Sequence, residues 1–448
     1  MSIGIKNRKG LDLHLQGAVE NTAAVVAKPA EVIAIIPDDF VGIVPKVDVH
    51  EGDTVLAGTP LFHSKADEAL KVVSPAKGVV KAVVRGERRK VLRIEVVTEG
   101  TESVAFPTDG VLTDAAKARE LLLASGLWAM TLQRPYAIVT EPGARLRDVF
   151  VTCFDAAPLA VSLTTLTDDQ QRWLAAGVKL FGLLTSGKVY LITSPAQHFP
   201  ATEGAETVVI SGPYPSSNAG TAISAISPVN KGETVMTLNL DTLLRAGELA
   251  LTGKLSGQTL VALTGSEVKH PKMISTTIGA PIAAILDGEV ESDGHHHRII
   301  SGNVFTGVKV DVDGFLRYPY SQVTVIPEGD DVAEFMGWAS FNPSKMSQST
   351  TFPGHFRRHH LFNPDARLLG GRRAMIMSGQ YDKVTPIDIL PEYLIKAILG
   401  RDIDRMEQLG IYEVAPEDFA AAEYVDTSKL ELQKIVREGL DYLRKELE

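Results

Sequence analysis

The chain has 448 residues, too many for one ordinary hydrophobic core, so its length predicts roughly three or four domains. Its formal charge of -10 argues against a nucleic-acid partner, because binding phosphate needs a basic stripe. No apolar run approaches the ~20 residues that cross a bilayer, and the N-terminus lacks the hydrophobic segment of a secretion signal. We therefore expect a cytoplasmic chain that is soluble when isolated and able to dock on a membrane protein.

Cys153 is the only cysteine in the sequence. A single cysteine excludes an intramolecular disulfide, a cysteine-ligated iron–sulfur cluster and a zinc–thiolate site within this chain. In the apolar context VFVTCFDAAPLAV we interpret it as a small buried residue rather than a catalytic thiol.

A quasi-repeat organises the N-terminal region. GIVPKVDVHEGDTV begins at Gly42, and the similar GVVKAVVRGERRKV begins at Gly78. Each copy combines a strand of period-two alternation, a glycine turn and a second strand. Two such halves predict a barrel-sandwich, the fold of biotinyl and lipoyl carriers. We assign residues 1–104 to an N-terminal segment and this module.

The segment EALKVVSPAKG, from Glu68, is similar to the lysine signature of a biotin carrier. Carriers place the modified lysine at the tip of a turn between the two halves. Lys71 lies so close to Pro75 that we predict it within a strand. Lys65 is nearer the expected tip but lacks the flanking acidic and methionine pattern. We predict that both lysines are unmodified.

Residues 105–255 alternate amphipathic windows with short apolar ones, which predicts a Rossmann-like, doubly wound α/β domain. Helices are expected from Asp114 and from Asp168. The runs predicted as buried strands are LAVSLTTL, KVYLIT, ETVVISG and VMTLN. No GxGxxG follows a strand, and the prolines of SGPYPSSNAG, from Ser211, remove backbone donors. We therefore expect no tightly bound NAD or flavin.

The remainder divides into two further parts. Residues 256–328 are strand-rich and punctuated by glycine, which predicts an α+β domain of the β-grasp, SLBB-like type. Residues 329–448 combine an extended Pro/Gly/Ser-rich linker with a helical C-terminal region. In the last helix, the apolar face of Leu432, Val436 and Leu440 is expected to pack on its own domain.

Two histidine groups raise the question of a metal. His295, His296 and His297 are consecutive and point to alternating faces of a strand, whereas His355 and His359 share a helical face only if that Pro/Gly-rich segment is helical. We predict solvated loop histidines in both places and no metal site. No catalytic triad or carboxylate pair can be assigned.

Several stretches, found in the same order as in a known family, carry a resemblance across essentially the whole chain. They are KGLDLHLQG, the barrel segments VHEGDTV and VVSPAKGVV, RIISGNVFTG, SQVTVIPEG and EFMGW. The chain resembles the alpha subunit of the sodium-translocating NADH:quinone oxidoreductases. Family members often carry cysteines near the C-terminus, and PEDFAAAEYVDTSK, from Pro416, has none, so no role of those cysteines is transferred.

The resemblance implies a peripheral subunit, on the cytoplasmic side of the inner membrane, of a complex that oxidises NADH, reduces ubiquinone or menaquinone and exports sodium. It implies that quinone is the substrate and that the flavins and the NADH site belong to other subunits. The chief partner is then the flavin-bearing membrane subunit, and the isolated chain is expected to be inactive.

A quinone headgroup needs hydrogen-bond donors within an apolar cleft. The first candidates for contact with quinone or partner are Arg298, Ser301 and Gly302 of RIISG and Phe356, Arg357 and Arg358 of HFRRHH. Two alternatives stay open: a ligand-free structural assembly subunit, and a biotinyl- or lipoyl-carrier type of enzyme.

Overall fold

The computed structural model describes residues 3–26, 30–290, 294–336, 338–347, 351–357 and 359–447. Most of this chain folds into four sheets and a helical C-terminal region. The strands are β1 (Ile3–Lys6), β2 (Ala24–Val26), β3 (Val32–Ile35), β4 (Pro45–Val47), β5 (Thr54–Val55), β6 (Pro60–Ser64), β7 (Lys71–Val73), β8 (Lys77–Arg85), β9 (Val91–Gly100), β10 (Leu132–Arg134), β11 (Ile138–Val139), β12 (Leu146–Thr152), β13 (Val189–Thr193), β14 (Ala205–Ser211), β15 (Thr234–Asn239), β16 (Gln258–Thr264), β17 (Lys272–Thr277), β18 (His297–Ser301), β19 (Val308–Val310) and β20 (Gln322–Pro327).

Helices cover one or both faces of the larger sheets and form the C-terminal region. The α-helices are α1 (Ala115–Ala124), α2 (Asp168–Gly182), α3 (Ala219–Ile226), α4 (Leu240–Thr252), α5 (Ile282–Leu286), α6 (Tyr381–Val384), α7 (Pro391–Leu399), α8 (Ile403–Gln408), α9 (Ala420–Val425) and α10 (Leu432–Leu447). The 3-10 helices are Pro37–Asp39, Glu87–Arg89, Leu127–Met130, Pro353–Phe356, Ile411–Glu413 and Pro416–Phe419.

Two small sheets form the N-terminal barrel-sandwich, in the strand orders β3-β9-β8-β5 and β4-β6-β7. Their inner faces bury apolar side chains such as Ile33, Phe62 and Ile94, all fully shielded from solvent. Lys71 is the first residue of β7 and lies opposite His63 of β6. Its predicted place within a strand is confirmed. Lys65 lies in the loop that joins β6 to β7.

A seven-stranded sheet, in the order β1-β14-β13-β12-β15-β10-β11, forms the core of the α/β domain. Strands β12, β13, β14 and β15 run parallel to one another, whereas β10 and β11 run antiparallel to their neighbours. Along β12, Val149 and Val151 pack with α2 and α4, and Phe150 between them packs with α3 on the other face. This alternation places helices on both faces. The predicted α/β domain is confirmed.

The helix boundaries follow the local sequence signals. The Asp114 carboxylate accepts hydrogen bonds from the backbone N–H groups of Ala116 and Lys117 at the start of α1. At the start of α2, Thr167 and Gln170 form a reciprocal capping box. Both caps satisfy N–H groups that a helix leaves without internal partners, which explains why these two predictions are confirmed.

The predicted strand LAVSLTTL, residues 159–166, is wrong. These residues form a loop after β12, whose own sequence, LRDVFVT, is the buried strand. Pro158 cannot donate to a ladder, and Leu159 takes a positive φ of 64°, which a β-strand does not allow. The loop is fixed by the Gln197 side-chain amide, which donates to the carbonyls of Cys153 and Leu163 at 2.6 and 2.9 Å.

A six-stranded sheet, in the order β19-β18-β20-β16-β17-β2, builds the next domain. Its edge strand β2 comes from the N-terminal segment, just as β1 pairs with β14 of the α/β sheet. The N-terminal segment therefore connects two sheets that lie far downstream in sequence.

The C-terminal region begins with a largely irregular stretch and ends in helices. Helix α10 buries Leu432, Val436, Leu440 and Leu443 completely in a core shared with α7 and α9. The predicted packing of this face on its own chain is confirmed. Within the described residues, no helix is long and apolar enough to cross a membrane.

Candidate functional site

The loops that follow β12 and β14 meet at the carboxyl-terminal edge of the α/β sheet, where sheets of this type bind ligands. The first loop carries Asp155, and the second carries Tyr214 and Ser217. The Ser217 hydroxyl accepts a hydrogen bond from the Ala156 backbone N–H at 3.0 Å and lies 3.5 Å from Asp155 Oδ1. The Ala157 N–H donates to the same carboxylate oxygen at 2.8 Å.

The loop after β18 supplies the wall facing Asp155. Asn303 Oδ1 accepts hydrogen bonds from the backbone N–H groups of Phe305 and Thr306 at 2.9 and 3.0 Å. This turn fixes the Asn303 side chain, which also hydrogen-bonds to the Asp155 carboxyl. The Phe305 ring stacks on Tyr214 with centroids 4.7 Å apart. The edge of Tyr424 meets Phe305 at 5.9 Å.

A buried charge network forms the floor behind Tyr214. Arg134 is 1% exposed, and its guanidinium contacts Glu417 Oε1 at 2.7 Å and Asp418 Oδ2 at 3.0 Å. The Asn218 amide donates to the Glu417 carbonyl at 3.0 Å, and the Tyr214 hydroxyl donates to the same carbonyl at 3.3 Å. Both acidic residues are therefore held against the loop after β14.

We call this group of contacting residues, where the loops after β12, β14 and β18 meet, the Asp155 cleft and define it by Asp155, Tyr214, Ser217, Asn303, Phe305 and Tyr424. Asp155 has a solvent-exposed side chain, yet the surrounding protein excludes enough water to raise the pKa of its carboxyl, against the opposing hydrogen bonds from Ala157, Ser217 and Asn303. Carboxyls with a pKa perturbed in this way cluster at functional sites.

The predicted residues of RIISG lie beside the cleft and support its wall. Ser301 is fully buried, and its hydroxyl accepts a hydrogen bond from the Arg317 N–H at 3.0 Å. Gly302 has a φ of +108° and donates its N–H to the Gln322 carbonyl at 2.7 Å. The structure brings these two together with Asn303, the next residue of the motif.

Arg298 lies at the other end of β18. Its Nε donates to Glu328 Oε2 at 2.9 Å, and Lys309 contacts the same carboxylate at 3.2 Å. The two cations lower the pKa of Glu328 to about 2, chiefly through the Arg298 hydrogen bond. Arg298 is thus engaged in an ion pair rather than in the cleft.

The predicted residues of HFRRHH lie on a different segment. Phe356 ends a short 3-10 helix and is 83% exposed. Arg357 Nη1 donates to the Ser344 hydroxyl at 3.3 Å. Arg358 lies outside the described residues. Its described partners outside the segment include Ser344, His14 and Phe362, and none of its described contacts reaches the Asp155 cleft.

The three consecutive histidines each lie against a carboxylate. His295 pairs with Asp331, His296 Nδ1 lies 2.8 Å from Asp330 Oδ2, and His297 Nδ1 lies 2.9 Å from Glu267 Oε2. Across the described ranges, no group of three or more histidine, cysteine or acidic residues is arranged to hold a metal ion. Burial raises the pKa of the Cys153 thiol to about 12, which suits an inert packed residue.

A separate enclosed cavity lies where the barrel, the α/β domain and the six-stranded domain meet. It is lined mainly by apolar groups and by Tyr318, which stacks on Phe40 at 5.4 Å. Its volume of about 30 Å³ gives room for one or two water molecules. A quinone ring does not fit this space.

The residues of the candidate site that the sequence analysis misses are Asp155, Asn303 and Phe305. Two signals point to them: an aspartate directly after the strand LRDVFVT, and the asparagine that follows RIISG. Assigning the strand to LAVSLTTL hides the first signal, because that assignment places Asp155 before a strand rather than after one.

Comparison with known proteins gives matches to domain families over most of the chain. Residues 5–99 match the NqrA N-terminal barrel-sandwich hybrid domain, residues 113–255 the NqrA second alpha/beta domain, and residues 260–312 the NQRA C-terminal domain. These matches define a multi-domain protein of mixed α/β architecture that contains a barrel-sandwich.

Relatives cover the whole chain. It is 32% identical to the NqrA subunit of the Na(+)-translocating NADH-quinone reductase from Neisseria meningitidis serogroup B, over 99% of this chain and 100% of that protein. It is 34% identical to the same subunit from Pasteurella multocida, over 98% and 99%, and 33% identical to that from Serratia proteamaculans, over 99% and 100%. The chain belongs to the NqrA family, the alpha subunits of the Na(+)-translocating NADH-quinone reductases. The function and enzyme class that the sequence resemblance implies, a subunit of that oxidoreductase, are confirmed.

Among solved structures, an NAD+-reducing [NiFe]-hydrogenase is similar at a TM-score of 0.36 and 12% identity, over 76% of this chain and 63% of the hydrogenase chain. This similarity is too distant to support a conclusion about the chain.

Proposed function

We propose that this NqrA-family chain contributes a quinone-binding site to its complex and that the Asp155 cleft is where the quinone headgroup binds. The observation that carries the proposal is an exposed carboxyl with a raised pKa beside an aromatic stack, at the carboxyl-terminal edge of the α/β sheet. A benzoquinone or naphthoquinone ring is flat and apolar, and its two carbonyls accept hydrogen bonds.

The aromatic wall suits the faces of such a ring. Phe305 and Tyr424 are half-buried and reach solvent, whereas Tyr214 is 2% exposed and backs Phe305. Offset-stacked or edge-to-face aromatic contacts contribute about 0.5–1.5 kcal/mol beyond the area that they bury. The Asp155 carboxyl, when protonated, donates a hydrogen bond to one quinone carbonyl.

The electrons come from outside this chain. We propose that the flavin-bearing membrane subunit is the chief partner and that this chain carries no covalent flavin, no iron–sulfur cluster and no tightly bound NAD. It then lies on the cytoplasmic side of the inner membrane as a peripheral subunit that is soluble when isolated. We further propose the Rossmann-like and β-grasp, SLBB-like descriptions for its second and third domains.

The first alternative is a ligand-free assembly subunit. The extensive ion-pair and backbone contacts that join the four sheets fit a scaffold as well as a binding protein. If the isolated chain fails to bind quinone and no quinone contacts it within the complex, this alternative replaces our proposal. The second alternative, a carrier-type enzyme, requires a biotinyl or lipoyl mass on Lys65 or Lys71.

The proposal is tested by measuring the affinity of the purified chain for a short-chain ubiquinone by saturation-transfer NMR. Phe305→Ala removes the aromatic wall and is expected to weaken binding at least tenfold, equivalent to about 1.4 kcal/mol. Phe356→Ala is the matched control, because Phe356 is also an aromatic residue of the sequence-based candidates but is 83% exposed on another segment.

Unchanged affinity in Phe305→Ala contradicts the proposed site. A loss confined to Phe356→Ala moves the site to the HFRRHH segment. Thermal unfolding of both variants checks that any change in affinity does not arise from loss of the fold.

A further inference from the structure

We propose that Asp155 is the acid that delivers a proton to the quinone oxygen during reduction. This inference rests on the proposed binding of quinone in the Asp155 cleft and adds a catalytic residue to that site.

The hydrogen bonds around Asp155 hold its carboxyl in place while leaving it open. The Ala157 N–H donates to Oδ1 at 2.8 Å, and the Ser217 hydroxyl lies 3.5 Å from the same oxygen. Ser217 is itself fixed by the Ala156 N–H at 3.0 Å. The side chain nonetheless remains exposed, so a ligand in the cleft and solvent water both reach it.

The charge environment favours a carboxyl that keeps its proton. The groups that contact Asp155 from the two neighbouring loops, Ser217 and Asn303, are uncharged. Tyr214 is a titratable group that interacts with Asp155, and Glu417 and Asp418 also interact with Tyr214. Over the residues that the structure describes, no cationic side chain pairs with Asp155. Desolvation without a compensating cation raises the pKa of a carboxyl.

This environment differs from that of Glu417 on the floor of the site. Glu417 also has a raised pKa from burial, but Arg134 opposes the rise at 2.7 Å. Its carboxylate is therefore committed to an ion pair. Within the described part of the cleft, the Asp155 carboxyl forms no such pair and can cycle between its two protonation states.

The reaction step balances in electrons and protons. NADH supplies two electrons and becomes NAD+, and the flavin-bearing subunit passes the electrons to the quinone. Both quinone C=O groups become C–OH groups, which requires two protons. The Asp155 O–H bond breaks as one quinone oxygen gains that proton, and the second oxygen takes its proton from water. The exposed Asp155 carboxylate is then reprotonated from solvent.

The test replaces the acid in the assembled complex by Asp155→Asn, which keeps the shape and an acceptor oxygen for the Ala157 N–H but not the titrating proton. General-acid catalysis typically contributes about 10²–10⁴-fold, so kcat for NADH-dependent quinone reduction at pH 8 is expected to fall at least tenfold. The KM for quinone is expected to change less than about threefold. The alkaline limb of the pH–rate profile, which reports the acid, should disappear.

Asp155→Glu restores a carboxyl and is expected to recover part of kcat with a shifted alkaline limb. The affinity of the isolated Asp155→Asn chain for quinone separates the two proposals. Normal quinone binding with unchanged kcat and pH profile overturns the acid role and leaves the binding site standing. Loss of binding in both the Asn and the Glu variants indicates a structural role and also overturns it. Failure of the wild-type chain to bind quinone overturns the site itself.

Discussion

Asp155 and Asp418 both lie near Tyr214, and their environments differ in exposure and in the presence of a cation. Asp418 is 1% exposed, contacts Arg134 at 3.0 Å and accepts the Ala415 N–H at 2.9 Å. Asp155 is exposed, has only uncharged donors and carries a raised pKa. The first carboxyl stabilises the architecture, and the second is available for chemistry.

The same contrast divides the two halves of the RIISGNVF motif. Ser301 and Gly302 stabilise the sheet and the turn, just as Asp418 stabilises the floor of the site. Asn303 and Phe305 face the cleft, as Asp155 does. A stretch that is recognisable in sequence thus contains both supporting and contacting residues, and the structure is needed to tell them apart.

The largest loss of stability is expected when the charge network on the floor of the site is broken. Arg134→Met leaves the buried Asp418 and the partly exposed Glu417 without their cation, which costs about 3–5 kcal/mol of stability. The free energy of unfolding, from guanidinium titration of the isolated chain, measures this loss. Desolvation raises the pKa of the Glu417 carboxyl and Arg134 opposes that rise, so without Arg134 this carboxyl is protonated more readily and the loss should be smaller at pH 5 than at pH 8.

Arg372→Met is the control for this change, since Arg372 forms an exposed ion pair with Glu431 at 3.1 Å. Its removal is expected to cost less than about 1 kcal/mol. An equal effect of the two substitutions would show that burial of the Arg134 network does not set its contribution to stability.

A smaller loss of stability is expected from Gly302→Ala. A Cβ at this position meets Gly307 Cα and the Tyr320 ring, both at 2.7 Å, in a backbone region that costs a non-glycine residue about 1–3 kcal/mol. The strain should displace Asn303 and weaken quinone binding along with stability. Gly232→Ala, with a φ of +84° and open space around it, is the matched control and should leave quinone affinity unchanged.

The smallest change in stability is expected from Asp155→Asn, and unlike the other substitutions it should stabilise the protein as pH rises. The folded protein holds the Asp155 proton more tightly than the unfolded chain, so wild-type stability falls as pH rises from about 4, the ordinary aspartate pKa, through the raised folded value. Asp155→Asn has no titrating proton at this position and therefore does not lose stability in this way as pH rises. Its stability relative to wild type should therefore increase with pH across this window, by less than about 1 kcal/mol because the side chain is exposed.

Thermal unfolding of both proteins at pH 4 and pH 8 measures this difference. A variant that is equally destabilised at both pH values would show that Asp155 is a structural partner like Asp418.

Sequence alone predicts the elements whose signals are local. The Asp114 cap, the Thr167 capping box and the apolar face of α10 each lie within one helix, and the strand position of Lys71 follows from its short distance to Pro75. The cleft could not be predicted in the same way, because Asp155, Ser217, Asn303 and Tyr424 come from four separate segments. Their contacts, and the pairing of β1 with β14, depend on long-range packing that leaves no periodicity in the sequence.

The misassigned strand shows that sequence composition is also an incomplete guide to structure within a short segment. LAVSLTTL has the composition of a strand, but Pro158 and the positive φ of Leu159 turn it into a loop of the cleft. A β-branched composition describes what a half-buried surface tolerates rather than a fixed backbone preference.

The central claim, that quinone binds in the Asp155 cleft, is tested most directly by photolabelling the complex with an azido-quinone and mapping the labelled peptides. We expect label on the loops around residues 155–160 and 303–306 of this chain, reduced by an excess of unlabelled quinone. Label confined to the HFRRHH segment or to other subunits, with none on these two loops, would contradict the claim.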